Sequence, residues 1–153
     1  MQNTQQTIDP AVQEILKNAS AAFKKLPALG PVAWLFGRMP GKQHLFLQDL
    51  DWAVLPPLIL DQCRLFMNGE MPFGYISWAY VNDDAHARLS AGQAKLQPHE
   101  WKGGEHPWLI DIVTPFGEAE KMLEELKKST FPDRRVHYFG LDADGKTISL
   151  KEL

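Results

Sequence analysis

The run Trp108-Leu109-Ile110-Asp111-Ile112-Val113 encloses one carboxylate among five apolar residues, three of them β-branched. Such a stretch reads as a strand buried on both faces. An isolated carboxylate there is expensive, so Asp111 must be paired, hydrogen-bonded or used in chemistry. Thr114-Pro115-Phe116-Gly117 then breaks the strand, and helical periodicity resumes at Glu118. A carboxylate near the C-terminal end of a strand, in a strand-turn-helix unit, faces the usual position of an α/β active site. This names a place, not a reaction.

The rest of the chain is read around that strand. Asp9-Pro10 caps a helix whose Val12, Ile15, Leu16, Ala19 and Phe23 recur at helical spacing, ending near Lys25 before Pro27. Gly30-Pro31 restarts a short helix through Phe36, and Met39-Pro40-Gly41-Lys42-Gln43-His44 reads as a loop. A helical stretch from about Leu47 to Val54 is expected to stop or kink at Pro56-Pro57. Residues 62–67 and 73–81 read as a hairpin around Asn68-Gly69-Glu70, and Asn82 caps a short helix through Arg88. Gly92 to Gly104 is ambiguous, with Ala94, Leu96 and Trp101 as core contacts. Glu118 to Lys128 is an amphipathic helix, acids early and lysines late. Residues 135–141 and 147–150 form a last hairpin. Helices first, then a mainly antiparallel sheet, give an α+β layered fold.

Composition bounds the function classes. The 153 residues fit a single core, and a net charge of −3 argues against a general nucleic-acid binder. Cys63 stands alone, which excludes an internal disulfide and fits a reducing compartment. Neither a membrane span nor a basic-then-apolar leader is recognisable, so a cytoplasmic location without stable membrane insertion is expected.

His44 is the leading partner for Asp111, because it sits in a loop next to an apolar segment. Most surface histidines nevertheless do nothing, and Asp111 divides evenly between catalysis and a structural ion pair with an arginine. His86 reads as part of a solvated helix, His99 and His106 as turn residues, and His137 as an exposed strand position. No spacing suggests a metal site. Cys63 reads as a small buried hydrophobe, and Asp142-Ala143-Asp144-Gly145 as a hairpin turn rather than a calcium loop. Arg88 to Ala94 is a poor pyrophosphate cradle, its basic residue one place too far from Gly92. Lys24, Lys25, Arg38 and Lys42 around the His44 loop, like Lys127, Lys128, Arg134 and Arg135, read as solvated clusters that can also receive an acidic partner.

Four ordered blocks carry a family resemblance: Gly30-Pro-Val-Ala-Trp34-Leu35, Pro40 with His44 after it, Tyr75-Ile-Ser77-Trp78-Ala79, and Trp108 to Gly117 preceded by Trp101. In these the chain, from about Leu29 to Leu150, resembles the toxin-activating lysine acyltransferases that fatty-acylate RTX protoxins. The resemblance implies a fold similar to the GCN5-related N-acetyltransferases, with His44 and Asp111 as catalytic residues and Tyr75 as a substrate-binding residue. It also implies an acyl chain taken from acyl-carrier protein, no resident cofactor, an RTX protoxin as acceptor, and a homodimer among the assemblies left open. Residues 1–28 would be an N-terminal helical extension and 29–153 a single acyltransferase domain. Relatives often carry a serine before the histidine, where this chain has Met39, Pro40 and Gly41.

The implied chemistry is demanding. A lysine amine has a reference pKa near 10.4, so exposing the neutral nucleophile around pH 7.5 costs about 4 kcal/mol. His44 as general base, oriented by Asp111, is one route. Direct proton uptake by Asp111 from a bound ammonium is a second, and an acyl-His44 intermediate a third. Backbone N–H groups at Pro115 to Gly117 are the expected oxyanion donors. Two rivals stay open: a small-acyl acetyltransferase using CoA, and a non-catalytic module that docks onto a toxin or carrier protein.

Overall fold

The computed structural model describes residues 8–153. Its frame is one five-stranded sheet in the order β1-β2-β3-β4-β5: β1 (Cys63–Asn68), β2 (Met71–Val81), β3 (His106–Val113), β4 (His137–Leu141) and β5 (Ile148–Glu152). Neighbours are antiparallel except β3 and β4, which run parallel and meet in register only at Trp108 and His137. The expected α+β layering, with a mainly antiparallel sheet flanked by helices, is what the chain forms, and the Asp111 strand lies at its centre. A parallel neighbour requires a crossover, and α5 (Ala119–Thr130) supplies it.

Alternation divides the two faces of the sheet. Ile76, Trp78, Leu109 and Ile112 pack with Met122, Leu123 and Leu126 of α5. The opposite face carries two separate apolar clusters. Tyr75 and Val113 pack with Val32, Leu35 and Phe36 of α2 (Leu26–Phe36) and Leu58 of α3 (Leu55–Ile59). Ala79, Val81 and Trp108 pack with Ala85 and Leu89 of α4 (Asp83–Ser90) and with Leu96 and Trp101. Asp111 belongs to this second face, at the seam between the clusters.

The first helix ends before Pro27, as expected, but Pro31, Pro56 and Pro57 act differently from expectation. Pro27 lies in the first turn of α2, where a missing N–H is harmless, and Pro31 is carried inside the same helix. The boundary expected between residues 28 and 29 therefore falls within α2. Pro56 and Pro57 likewise open α3 instead of ending a helix, and residues 47–54 wind as a 3₁₀ turn followed by a π-type turn. The Asp9 cap is as read, with the Ala11 N–H donating to Asp9 Oδ1 at 2.8 Å before α1 (Pro10–Phe23). The apolar stripe of α1 remains open: Val12, Ile15, Leu16 and Phe23 are all exposed. Among the described residues, no helix is long and apolar enough to cross a membrane.

Candidate active site

Two local devices bring the site together. The first is in the sheet. Pairing of β2 with β3 steps from Ser77–Asp111 to Trp78–Leu109, which leaves Ile110 as an extra residue on β3. A bulge breaks alternation, so Ile110 and Asp111 line the same cavity although they are adjacent in sequence. Ser77, fully buried, accepts the Asp111 N–H at 3.2 Å and holds the bulge in place.

The second device is the turn after α2. The Lys42 N–H donates to the Met39 carbonyl at 3.1 Å, with Pro40 and Gly41 between them. Gly41 has φ = 83°, the left-handed position that a type II turn gives to glycine. This turn returns the chain toward the sheet, so that Lys42 Nζ lies 2.6 Å from Asp111 Oδ1. The Asp111 side chain is 14% exposed and that of Lys42 31%. The ammonium also lies 5.9 Å from the centroid of the Phe36 ring, a cation–π approach.

The cavity between the clusters has a volume of about 280 Å³. Phe36, Leu45, Trp52, Ala53, Leu96, Trp101 and Ile110 wall it, and Lys42, His44, Lys95 and Asp111 are its charged or titratable groups. Its aromatic walls are pinned: Trp52 Nε1 donates to Asp49 Oδ1 at 3.0 Å, and Trp101 Nε1 donates to the Trp52 carbonyl at 3.0 Å. An apolar slot with one buried carboxylate at its floor can take a hydrocarbon chain together with a cationic amine.

His44 and Asp111 therefore share one cavity, but they are not bonded to each other. The carboxylate pairs with Lys42, and the His44 side chain, exposed at the mouth, has no hydrogen-bond partner among the described residues. Lys42 does not belong to a solvated cluster. Sequence reasoning sets it among surface cations, and the Pro40-Gly41 turn before it is the signal that could single it out. Of the partners weighed for Asp111, neither His44 nor an arginine holds it; the ion pair is made by this lysine.

Tyr75 lies beneath the floor, 1% exposed, and does not line the cavity. Burial, above all, pushes its phenol well above the ordinary range, with the nearby Cys63 thiol and Asp111 carboxylate adding to the effect. Its hydroxyl makes no well-formed hydrogen bond to Cys63 or Ser77. Burial likewise raises the Cys63 thiol, which opposes the thiolate a nucleophile needs. The turn at Pro115 to Gly117 is not part of the cavity. Proline has no N–H, and the Gly117 N–H is already given to the Thr114 carbonyl at 3.1 Å.

Three of the remaining histidines depart from expectation. His86 is half-buried and accepts from Trp108 Nε1 at 2.9 Å, while its ring stacks on His106 at 4.4 Å. His106 opens β3 and lies 2.6 Å from Asp83 Oδ1. His137 stacks on Trp108, with a buried Nδ1 that makes no hydrogen bond. Among the described residues, no group of three or more His, Cys, Asp or Glu is placed to hold a metal ion.

The sequence as a whole has known relatives. The chain is 29% identical over 127 residues to the RTX-II toxin-activating lysine-acyltransferase ApxIIC of Actinobacillus pleuropneumoniae, covering 80% of this chain and 79% of that protein. It is 27% identical over 128 residues to the protein-lysine myristoyltransferase RtxC of Kingella kingae, covering 84% and 76%. An uncharacterised protein of Synechocystis is 28% identical over 125 residues, covering 80% and 85%. The profile of the RTX toxin acyltransferase family matches residues 21–152, most of the chain and every element from α2 to β5. The chain belongs to the RTX toxin acyltransferase family and is an acyltransferase.

Proposed function

We propose that this protein moves a fatty acyl chain from acyl-carrier protein to the ε-amine of lysines in an RTX protoxin, with Asp111 anchoring the acceptor ammonium and His44 taking its proton. The observation that carries the reading is the Lys42–Asp111 pair at 2.6 Å, inside a cavity with apolar walls that also holds His44. A primary ammonium already fits on this carboxylate, so an acceptor lysine that displaces Lys42 would find the same ligand. The apolar walls suit the hydrocarbon of a thioester donor.

In this reading Asp111 binds the incoming ammonium as an ion pair. The ammonium gives up one proton to solvent to free the amine, and His44 at the mouth removes a second as the amine attacks the thioester carbonyl and passes it to the leaving thiolate. Tyr75 enters through Asp111, whose charge its buried hydroxyl feels, and not through contact with the cavity. Carrier protein is favoured over CoA because the turn at Arg88 to Ala94 offers no free cation for a pyrophosphate. The Arg88 guanidinium pairs with Glu100 and, at 3.4 Å, with Asp84. A single cysteine and a carrier-protein donor both support a cytoplasmic reaction.

The test is transfer from myristoyl-acyl carrier protein to an RTX protoxin, followed by mass spectrometry of the protoxin lysines. His44→Ala and Asp111→Asn are each expected to lower transfer at least about a hundredfold with the fold retained. Folded variants with near wild-type transfer would remove both assignments. Faster transfer from acyl-CoA would give the donor to CoA, and protoxin binding without any lysine acylation would reduce the protein to a docking module.

A further inference from the structure

Resting on the acyltransferase reading above, we infer that Lys42 is itself an acyl acceptor: without a bound substrate lysine, the protein acylates its own Lys42 and so closes its site. The reaction needs a primary amine on the Asp111 carboxylate, within one cavity with His44 and apolar walls. Lys42 Nζ meets that description at 2.6 Å from Asp111 Oδ1, 31% exposed and facing the cavity. The placement is local and built in, because the Pro40-Gly41 turn fixes the residue that follows it. Lys95 provides an internal contrast. It lines the same cavity, but its ammonium rests 4.8 Å from the Trp52 centroid and has no carboxylate partner among the described residues.

The step balances without any further reactant. The Lys42 amine attacks the thioester carbonyl of the acyl donor, a C–N amide bond forms and the C–S bond breaks. The proton leaves the ammonium for Asp111 or His44 and then joins the departing thiolate of the carrier's phosphopantetheine arm. The product is an amide, far less prone than a thioester to give up its acyl group, so the modification is a dead end and not an intermediate. It removes the charge that pairs with Asp111 and leaves a hydrocarbon chain among Phe36, Trp52 and Ile110. An acceptor lysine seated on Asp111 must displace Lys42, so substrate protects the enzyme from its own reaction.

The experiment incubates the full chain with myristoyl-acyl carrier protein, with and without an excess of an RTX protoxin, and maps myristoyl groups on both proteins by peptide mass spectrometry. The expected result is one myristoyl group on Lys42, little on Lys95, and a several-fold lower yield on Lys42 when protoxin is present. Lys42→Arg keeps a cation beside Asp111 but supplies no nucleophile, so the label should vanish and not move to another lysine. Label spread evenly over surface lysines, or label on Lys42 that stays unchanged while the excess protoxin is itself acylated, overturns the inference. An acylated protoxin in one arm, with Lys42 bare also in the arm without protoxin, overturns it too, while the acyltransferase reading stands. Label on Lys42 with an untouched protoxin upholds it and removes that protoxin as target. No label on either protein sinks both.

Discussion

Two buried polar side chains fix the floor of the cavity, and they do so by satisfying backbone groups. Ser77 takes the Asp111 N–H at the bulge. Gln62, 5% exposed, donates from Nε2 to the Trp78 carbonyl at 3.1 Å and to the Trp101 carbonyl at 2.9 Å. One amide thus ties the sheet to the wall residue Trp101, whose indole in turn holds Trp52. Gln62→Leu leaves two buried carbonyls without that donor, and the expected loss is roughly 2–3 kcal/mol of folding stability. Chemical denaturation measures it directly. An unchanged midpoint would mean that water replaces the amide, and that Gln62 does not organise the wall.

At the scale of the element, the segment between α4 and β3 is held by the approach of one backbone to another. The Gly103 and Gly104 N–H groups both donate to the Tyr80 carbonyl at 2.9 Å. A Cβ on Gly104 would lie 2.3 Å from the Val81 carbonyl oxygen and 2.4 Å from the Asn82 nitrogen. Both are backbone atoms, so neither can swing aside. Gly104→Ala is expected to cost about 2 kcal/mol or more and to loosen Trp101 with it, seen as a lower Tm and weakened amide protection over residues 98–104. A neutral substitution there would show that the strand end moves freely. α1 is the opposite case. Its amphipathic pattern is clear in sequence, yet its large apolar residues are exposed, so periodicity marks the helix without saying what covers it.

Across the whole molecule, α4, β3, β4 and β5 converge on a cluster of three histidines. His86 accepts from Trp108 and faces His106, His137 and Asp83. Burial first, then the two neighbouring histidines, hold His86 below its ordinary value of 6.5, with Asp83 opposing them. The folded state therefore binds fewer protons at His86 than the unfolded chain does. Its stabilising contribution is present above about pH 6.5 and is lost as pH falls through that range, so stability rises with pH there. His86→Asn, with an amide oxygen to receive the Trp108 N–H, should flatten the slope of stability between about pH 7 and about pH 5. An unaltered slope would assign the acid sensitivity to other groups.

Much of this was legible in the chain itself. The apolar run around Asp111, the break at Pro115-Gly117, the amphipathic α5 and the two hairpins are local patterns, and each became the element it implied. Period and turn chemistry act within a few residues, so sequence can state them. The family was legible for the same reason, since its blocks are short and ordered along the chain. Pro56 and Pro57 were misread because a proline's effect depends on its position in a helix: at the first turn it starts what it would otherwise stop. The partner of Asp111 was decided only by the fold. Lys42 and His44 are two residues apart in one loop, and no local rule says which of them meets a strand nearly seventy residues later. A one-residue bulge at Ile110 and a left-handed glycine at 41 settled it, by turning one carboxylate and one ammonium toward the same seam.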